Sequence, residues 1–116
     1  MKIINYTDIG PTLFDNGAAK KVAGRVALGK ADGADNFCMR VFEVEKNGHT
    51  PRHTHEWEHE IFFHSGIGEV LSEGKWTKVF PGTALLVPGN EEHQIRNQED
   101  APLVFVCLIP AGIEEL

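Results

Sequence analysis

The sequence predicts an all-β fold, with antiparallel strands closing over one another as a sandwich or, more commonly at this size, a jelly-roll barrel. Three observations predict it. Turn chemistry punctuates the chain at short intervals: Gly10-Pro11, Asn16-Gly17, Asp32-Gly33, Asn47-Gly48, Ser65-Gly66, Glu73-Gly74, Pro81-Gly82 and Pro88-Gly89. The runs between these turns are rich in β-branched and aromatic residues, which fit a pleated, half-buried surface. No stretch repeats its apolar positions at helical spacing with credible caps.

Taken in order, strands are expected over 22–28, 37–44, 61–63, 76–80, 84–87 and 103–109. The last of these, Leu103-Val104-Phe105-Val106-Cys107-Leu108-Ile109, is a continuous apolar run and reads as a strand buried on both faces. Only Asn16 to Ala23 carries a weak helical pattern. At 116 residues the chain is expected to be one domain, 1–116, because a split would leave two cores too small to stand alone.

The net charge of −6 argues against a nucleic-acid partner, whose phosphates require a basic patch. No apolar run approaches the roughly 18–20 residues of a membrane span, and Asp8 interrupts what would be the apolar centre of a secretory signal, so a cytoplasmic protein without a membrane partner is expected. Cys38 and Cys107 have no metal-type spacing and sit inside apolar runs, where buried free thiols are common.

The chemistry concentrates between Asn47 and Gly66. Five of the six histidines, His49, His53, His55, His59 and His64, lie there, and His93 stands alone. If 53–55 is extended, His53 and His55 project from one face as a ready bidentate pair. The parity of His59, Ile61 and Phe63 puts His59 on the apolar side of its strand. Neutral imidazoles suit zinc, copper, iron, nickel and manganese. His49 and His64 read as ordinary hydrogen-bonded or solvated side chains.

These residues fit a spacing. A Gly, five residues, His-x-His, three or four residues, Glu, six residues and Gly is filled by Asn47, His53, His55, His59 and Gly66. Gly, five residues, Pro-x-Gly, two residues, His, three residues and Asn is filled by Gly82, Pro88, Asn90, His93 and Asn97. In this the chain resembles the cupins, over 37–109. Asn replaces Gly at 47 and 90, and Asn is the non-glycine residue that best tolerates a left-handed backbone. His59 takes the place of the family's glutamate, since six residues separate it from Gly66; Glu60 would fit only the alternative interval.

The string Arg52-His53-Thr54-His55-Glu56-Trp57-Glu58-His59-Glu60-Ile61-Phe62 is similar to small single-domain cupins that hold manganese with four histidines, typically as homodimers. The resemblance implies a double-stranded β-helix with residues 1–36 packed on the barrel or on a dimer partner. It implies His53, His55, His59 and His93 as ligands of one divalent metal, manganese favoured, with iron, zinc, nickel or copper as alternatives.

Four protein ligands leave two octahedral positions open for a substrate or dioxygen. The expected function is therefore a metalloenzyme acting on a small-molecule substrate, of oxidoreductase or dioxygenase type. A non-redox isomerase or lyase, or a binding module without catalysis, is the alternative. Pocket candidates are Ile61, Phe63, Phe105 and Cys107 as an apolar wall, and Arg40 as a partner for a substrate carboxylate or, by default, in a surface ion pair. Glu58 and Glu60 are candidates to orient histidine nitrogens. Trp57 and Trp76 read as packing residues.

Overall fold

The computed structural model describes all 116 residues as nine strands and two single-turn 3-10 helices. The strands are β1 (Thr12–Phe14), β2 (Lys20–Leu28), β3 (Phe37–His49), β4 (His59–Ser65), β5 (Gly68–Ser72), β6 (Lys75–Val79), β7 (Ala84–Val87), β8 (His93–Arg96) and β9 (Leu103–Pro110). No helix is long and apolar enough to cross a membrane.

All strands join one antiparallel sheet in the order β6-β5-β8-β3-β9-β4-β7, with β2 paired to β3 and β1 to β2. The long strand β3 curls this sheet into a barrel. Its first part pairs with β9 from Phe37↔Pro110 to Val44↔Leu103, while its far end reaches β8 at His49↔Arg96. Between the two partners, Asn47 takes a left-handed backbone with φ 65°, as expected of an Asn in a glycine's place. Asn90 does the same with φ 66° ahead of β8.

The interior follows period-2 alternation. In β4, His59, Ile61 and Phe63 are buried and Glu60, Phe62 and His64 are exposed, because the pleat turns successive side chains to opposite faces. One cluster of 14 buried residues, including Val44, Val70, Ile95 and Leu103, draws on strands from both sides of the barrel. Phe63 is fully buried with its ring centroid 5.5 Å from that of Phe105, and truncating such a side chain to Ala costs about 3–5 kcal/mol.

Asn97 explains why the second motif ends on asparagine. Its side chain is fully buried, donates to the carbonyls of Val44 and Ala101 at 2.9 Å each, and accepts from the Glu99 amide at 2.9 Å. Its backbone exchanges hydrogen bonds with Asn47 and Gly48, so one residue ties the end of β8 to the bend in β3.

Two expectations change. Residues 16–23 are not helical: the Asn16 side chain accepts from the Ala19 amide at 3.0 Å to make a turn, and β2 then starts with a bulge where Lys21 has φ 52°. The segment 50–58 between β3 and β4 is not a regular strand, and His53 alone forms an isolated bridge with His93. Both cysteines are free and buried.

Candidate metal centre

Four histidines meet although they are held in two different ways. His59 opens β4 and His93 opens β8, and both are buried. His53 and His55 lie on the irregular arm 50–58, His53 exposed and His55 half-buried. The arm is pinned to its surroundings by main-chain bonds: His53 and His93 exchange N–H···O=C bonds at 3.2 and 3.1 Å, and the Asn90 amide donates to the His55 carbonyl at 2.6 Å. Gly89 permits this close approach, since a Cβ there would stand 2.2 Å from the Glu56 carbonyl oxygen.

The ligand atoms of His53, His55, His59 and His93 all lie within 4.8 Å of one another. The far nitrogens of His55, His59 and His93 are occupied. Nδ1–H of His55 donates to the Trp57 carbonyl at 2.8 Å and Nδ1–H of His93 to the Glu91 carbonyl at 2.9 Å, which leaves each Nε2 with a lone pair. His59 Nδ1 lies 3.1 Å from Cys107 Sγ, an acceptor for its N–H in the tautomer a metal requires. His59 Nε2 and His55 Nε2 then face each other at 2.6 Å, and two lone pairs at that distance repel unless they share a cation. The donor set fits a divalent transition metal.

Electrostatics favour the neutral rings that a metal needs. Although much of His53 faces solvent, desolvation of its ring within the cluster, then the neighbouring histidines and Arg40, hold it down at about 4 from its ordinary 6.5. Burial and then the Arg40 charge hold His59 at about 3. His55 is lowered as well, chiefly by burial, against the opposing effect of its bond to Trp57. The Trp57 indole stacks on the His55 ring at 4.3 Å and 6°, a packing role on the site itself.

Beside the cluster is a cavity of about 220 Å³, lined by His53, His59 and His93. Of the expected wall, Ile61, Phe105 and Cys107 line it; Phe63 does not, being sealed in the core beneath Phe105. Arg40 lines it too and is buried, not at the surface: it shares inward parity with Cys38, Phe42 and Val44. That parity was the signal in the sequence. Leu116 also reaches the wall.

The remaining candidates lie elsewhere. His49 contacts the Thr50 carbonyl and Gln94, and exposed His64 contacts Ser65 Oγ. No histidine bonds to Glu58 or Glu60; backbone carbonyls and a thiol occupy the outer nitrogens instead. Trp76 packs under Arg96, whose guanidinium carbon is 3.8 Å from the ring centroid.

Comparison with known proteins agrees with the fold. The family model described as Cupin domain matches residues 40–109. Among solved structures, the polyketide cyclase RemF from Streptomyces resistomycificus superposes with a TM-score of 0.89 at 34% identity, over 95% of this chain and 79% of that one. A protein described as a predicted oxalate decarboxylase from Thermotoga maritima superposes with a TM-score of 0.83 at 22% identity, over 95% and 99% of the two chains. The 1-methylthio-D-xylulose 5-phosphate methylsulfurylase of Rhodospirillum rubrum is 30% identical over 73 residues, 63% of this chain and 47% of its own; the chain thus spans about half the length of that curated relative.

Proposed function

The chain belongs to the cupin domain family, and from that premise we propose that it is a metal-dependent enzyme that activates a small, enolisable carbonyl compound without redox change. The observation that carries this reading is the four-imidazole cluster, with its ligand atoms inside 4.8 Å, opening on an apolar cavity. The likeness to a polyketide cyclase over 95% of the chain supports it.

The cavity wall includes no Asp, Glu, Lys or Tyr to serve as a general base, so the proton lost on enolisation would pass to water. When bound, the ion would supply Lewis acidity, polarising a carbonyl oxygen and lowering the pKa of what it binds. The chain's own contribution is to orient and to exclude water. His55, His59 and His93 are oriented by Trp57, Cys107 and Glu91, and Ile61 and Phe105 keep one wall dry. Four neutral ligands leave the +2 charge uncompensated, which favours an anionic enolate over its neutral ketone.

A cavity of about 220 Å³ suits a small-molecule substrate. Manganese is the proposed ion, with iron, zinc, nickel and copper sharing its preference for imidazole. A homodimer in the cytoplasm completes the reading: Phe62 and Leu86, 50% and 58% exposed on the outer face of β4 and β7, suit a second copy.

A second reading, a dioxygenase, is favoured by the same open coordination and dry wall. Deuterium exchange into 2,4-pentanedione, followed by NMR, separates the two when zinc- and manganese-loaded protein are compared alongside oxygen uptake. The proposal expects exchange with both ions and no oxygen consumed. Activity confined to the manganese form with oxygen uptake would replace it by the dioxygenase.

A further inference from the structure

Arg40 is a buried cation without a counter-anion. Only 9% of it is exposed, and it takes part in none of the chain's five ion pairs. Its hydrogen bonds are poor: Nη1 reaches the Glu115 backbone carbonyl at 3.3 Å, Nη2 donates to the Cys107 sulfur at 3.0 Å, and Nε has no partner. A thiol sulfur is a weak acceptor, and 3.3 Å is long for a charged donor. Burying a charge without pairing it is among the most costly arrangements a fold can hold, so a guanidinium left this way calls for a reason.

Its placement supplies one. The strand register sets Arg40 opposite Cys107 and Cys107 opposite Ile61, so three neighbouring strands present these side chains to the same interior. The guanidinium lies over Phe42, its carbon 5.0 Å from the ring centroid, and Nη2 is 3.3 Å from His59 Nδ1. Arg40 and three of the four metal-site histidines line one cavity, and no Asp or Glu side chain lines it with them.

We propose that Arg40 is the anchor for a carboxylate of the substrate, which is therefore a small keto acid rather than a neutral ketone. This rests on the carbonyl-activation reading and specifies its substrate class. A planar guanidinium offers two parallel N–H donors that match a carboxylate, and a dry wall strengthens the pairing. His59 turns Nε2 to the metal cluster and its Nδ1–H to Cys107, with Arg40 Nη2 alongside at 3.3 Å as a second donor that cannot pair with it. The carboxylate and the activated carbonyl are thus set apart by the breadth of one imidazole, and the substrate carries them on separate carbons with an apolar spacer.

Binding to metal-free protein tests this without any reliance on turnover. The probes are 4-oxopentanoate and its neutral counterpart 2-hexanone, titrated by calorimetry into the metal-free and zinc-loaded whole chain. Metal-free protein is expected to bind the acid and to lose roughly tenfold to a hundredfold in affinity on Arg40→Met, with partial recovery in Arg40→Lys and no change for the ketone. The Arg40 guanidinium resonances of unsubstituted protein should shift in ¹⁵N–¹H spectra with the acid alone, a readout that survives if the Met variant folds poorly. Equal binding of the acid by the Met variant, or no shift of those resonances at saturation, overturns the proposal. Acid binding that depends on Arg40 in a zinc-loaded protein with no exchange activity would leave Arg40 as an anion anchor and remove the carbonyl-activation reading instead.

Discussion

Two halves of one candidate metal centre are built by different means. His59 and His93 stand at the starts of β4 and β8, buried and fixed by sheet register, whereas His53 and His55 hang on an irregular arm that a bridge and two further main-chain bonds, Thr50 to Ile95 and Asn90 to His55, hold in place. The strand-borne pair is as rigid as the barrel. The arm-borne pair has fewer constraints and more exposure, so it can adjust its radius.

The largest test of that contrast is removal of single ligands. His59→Ala or His93→Ala is expected to weaken metal binding by more than about 100-fold, beyond the range that lost outer-shell partners cost. His53→Ala or His55→Ala should cost about 10- to 100-fold, because the arm can shift to admit water in place of the ring. Competition against a fluorescent chelator measures both, and equal losses at all four positions would erase the distinction.

Next in size is the scaffold behind the strand-borne pair. Asn97→Ala leaves the Val44 and Ala101 carbonyls and the Glu99 amide without their partner in a fully buried position, and a loss of about 2–4 kcal/mol in urea unfolding is expected. Metal affinity of the folded fraction should change far less than stability.

Acid should dismantle the halves in order. His53 and His59 sit at about 4 and about 3 in the folded chain against 6.5. As pH falls below 6.5 the unfolded chain takes up protons that the folded one refuses. Stability of the metal-free protein is therefore full above about 6.5 and declines toward pH 3–4. Proton competition for the metal is shifted downward by the same effect, from the pH near 6 that ordinary imidazoles imply to about 5 and below. His53, on the arm, protonates before His59. Metal content by elemental analysis across pH 7 to 3 checks the window, and release complete by pH 6 would contradict it.

The smallest effect belongs to the arm's own support. Trp57→Leu removes the ring stacked on His55 and should weaken metal binding about threefold to tenfold, in line with about 0.5–1.5 kcal/mol for an aromatic pair. The overall unfolding midpoint should move little.

The contrast between halves also marks what the sequence made legible. The expected runs became β2, β6, β7 and β9 within two residues of their bounds, while β3 continues five residues past Val44 and β4 extends to both sides of 61–63. The strands β1, β5 and β8 went unseen. β8 is only four residues, His93-Gln94-Ile95-Arg96, and its extended form comes from tertiary pairing with β5 rather than from its own composition.

His53 and His55 were found by assuming a strand that is not there. Spacing to Gly66 and Asn97 located the cluster where local structure could not. The outer-nitrogen partners were hidden for a different reason: Trp57 and Glu91 act through their carbonyls, which every residue possesses, so no side-chain pattern announces them. Arg40 is visible by parity, although a lone basic residue in a strand is by default at a surface.

One small residue has wider reach than its size suggests. Gly89 lets the turn before β8 lie against Glu56, and a single methyl group there would meet that carbonyl at 2.2 Å. The intruding atom would push on the backbone that carries His55 while leaving every imidazole in the chain unaltered. The spacing of the four imidazoles is thus open to change at a position with no donor atom of its own.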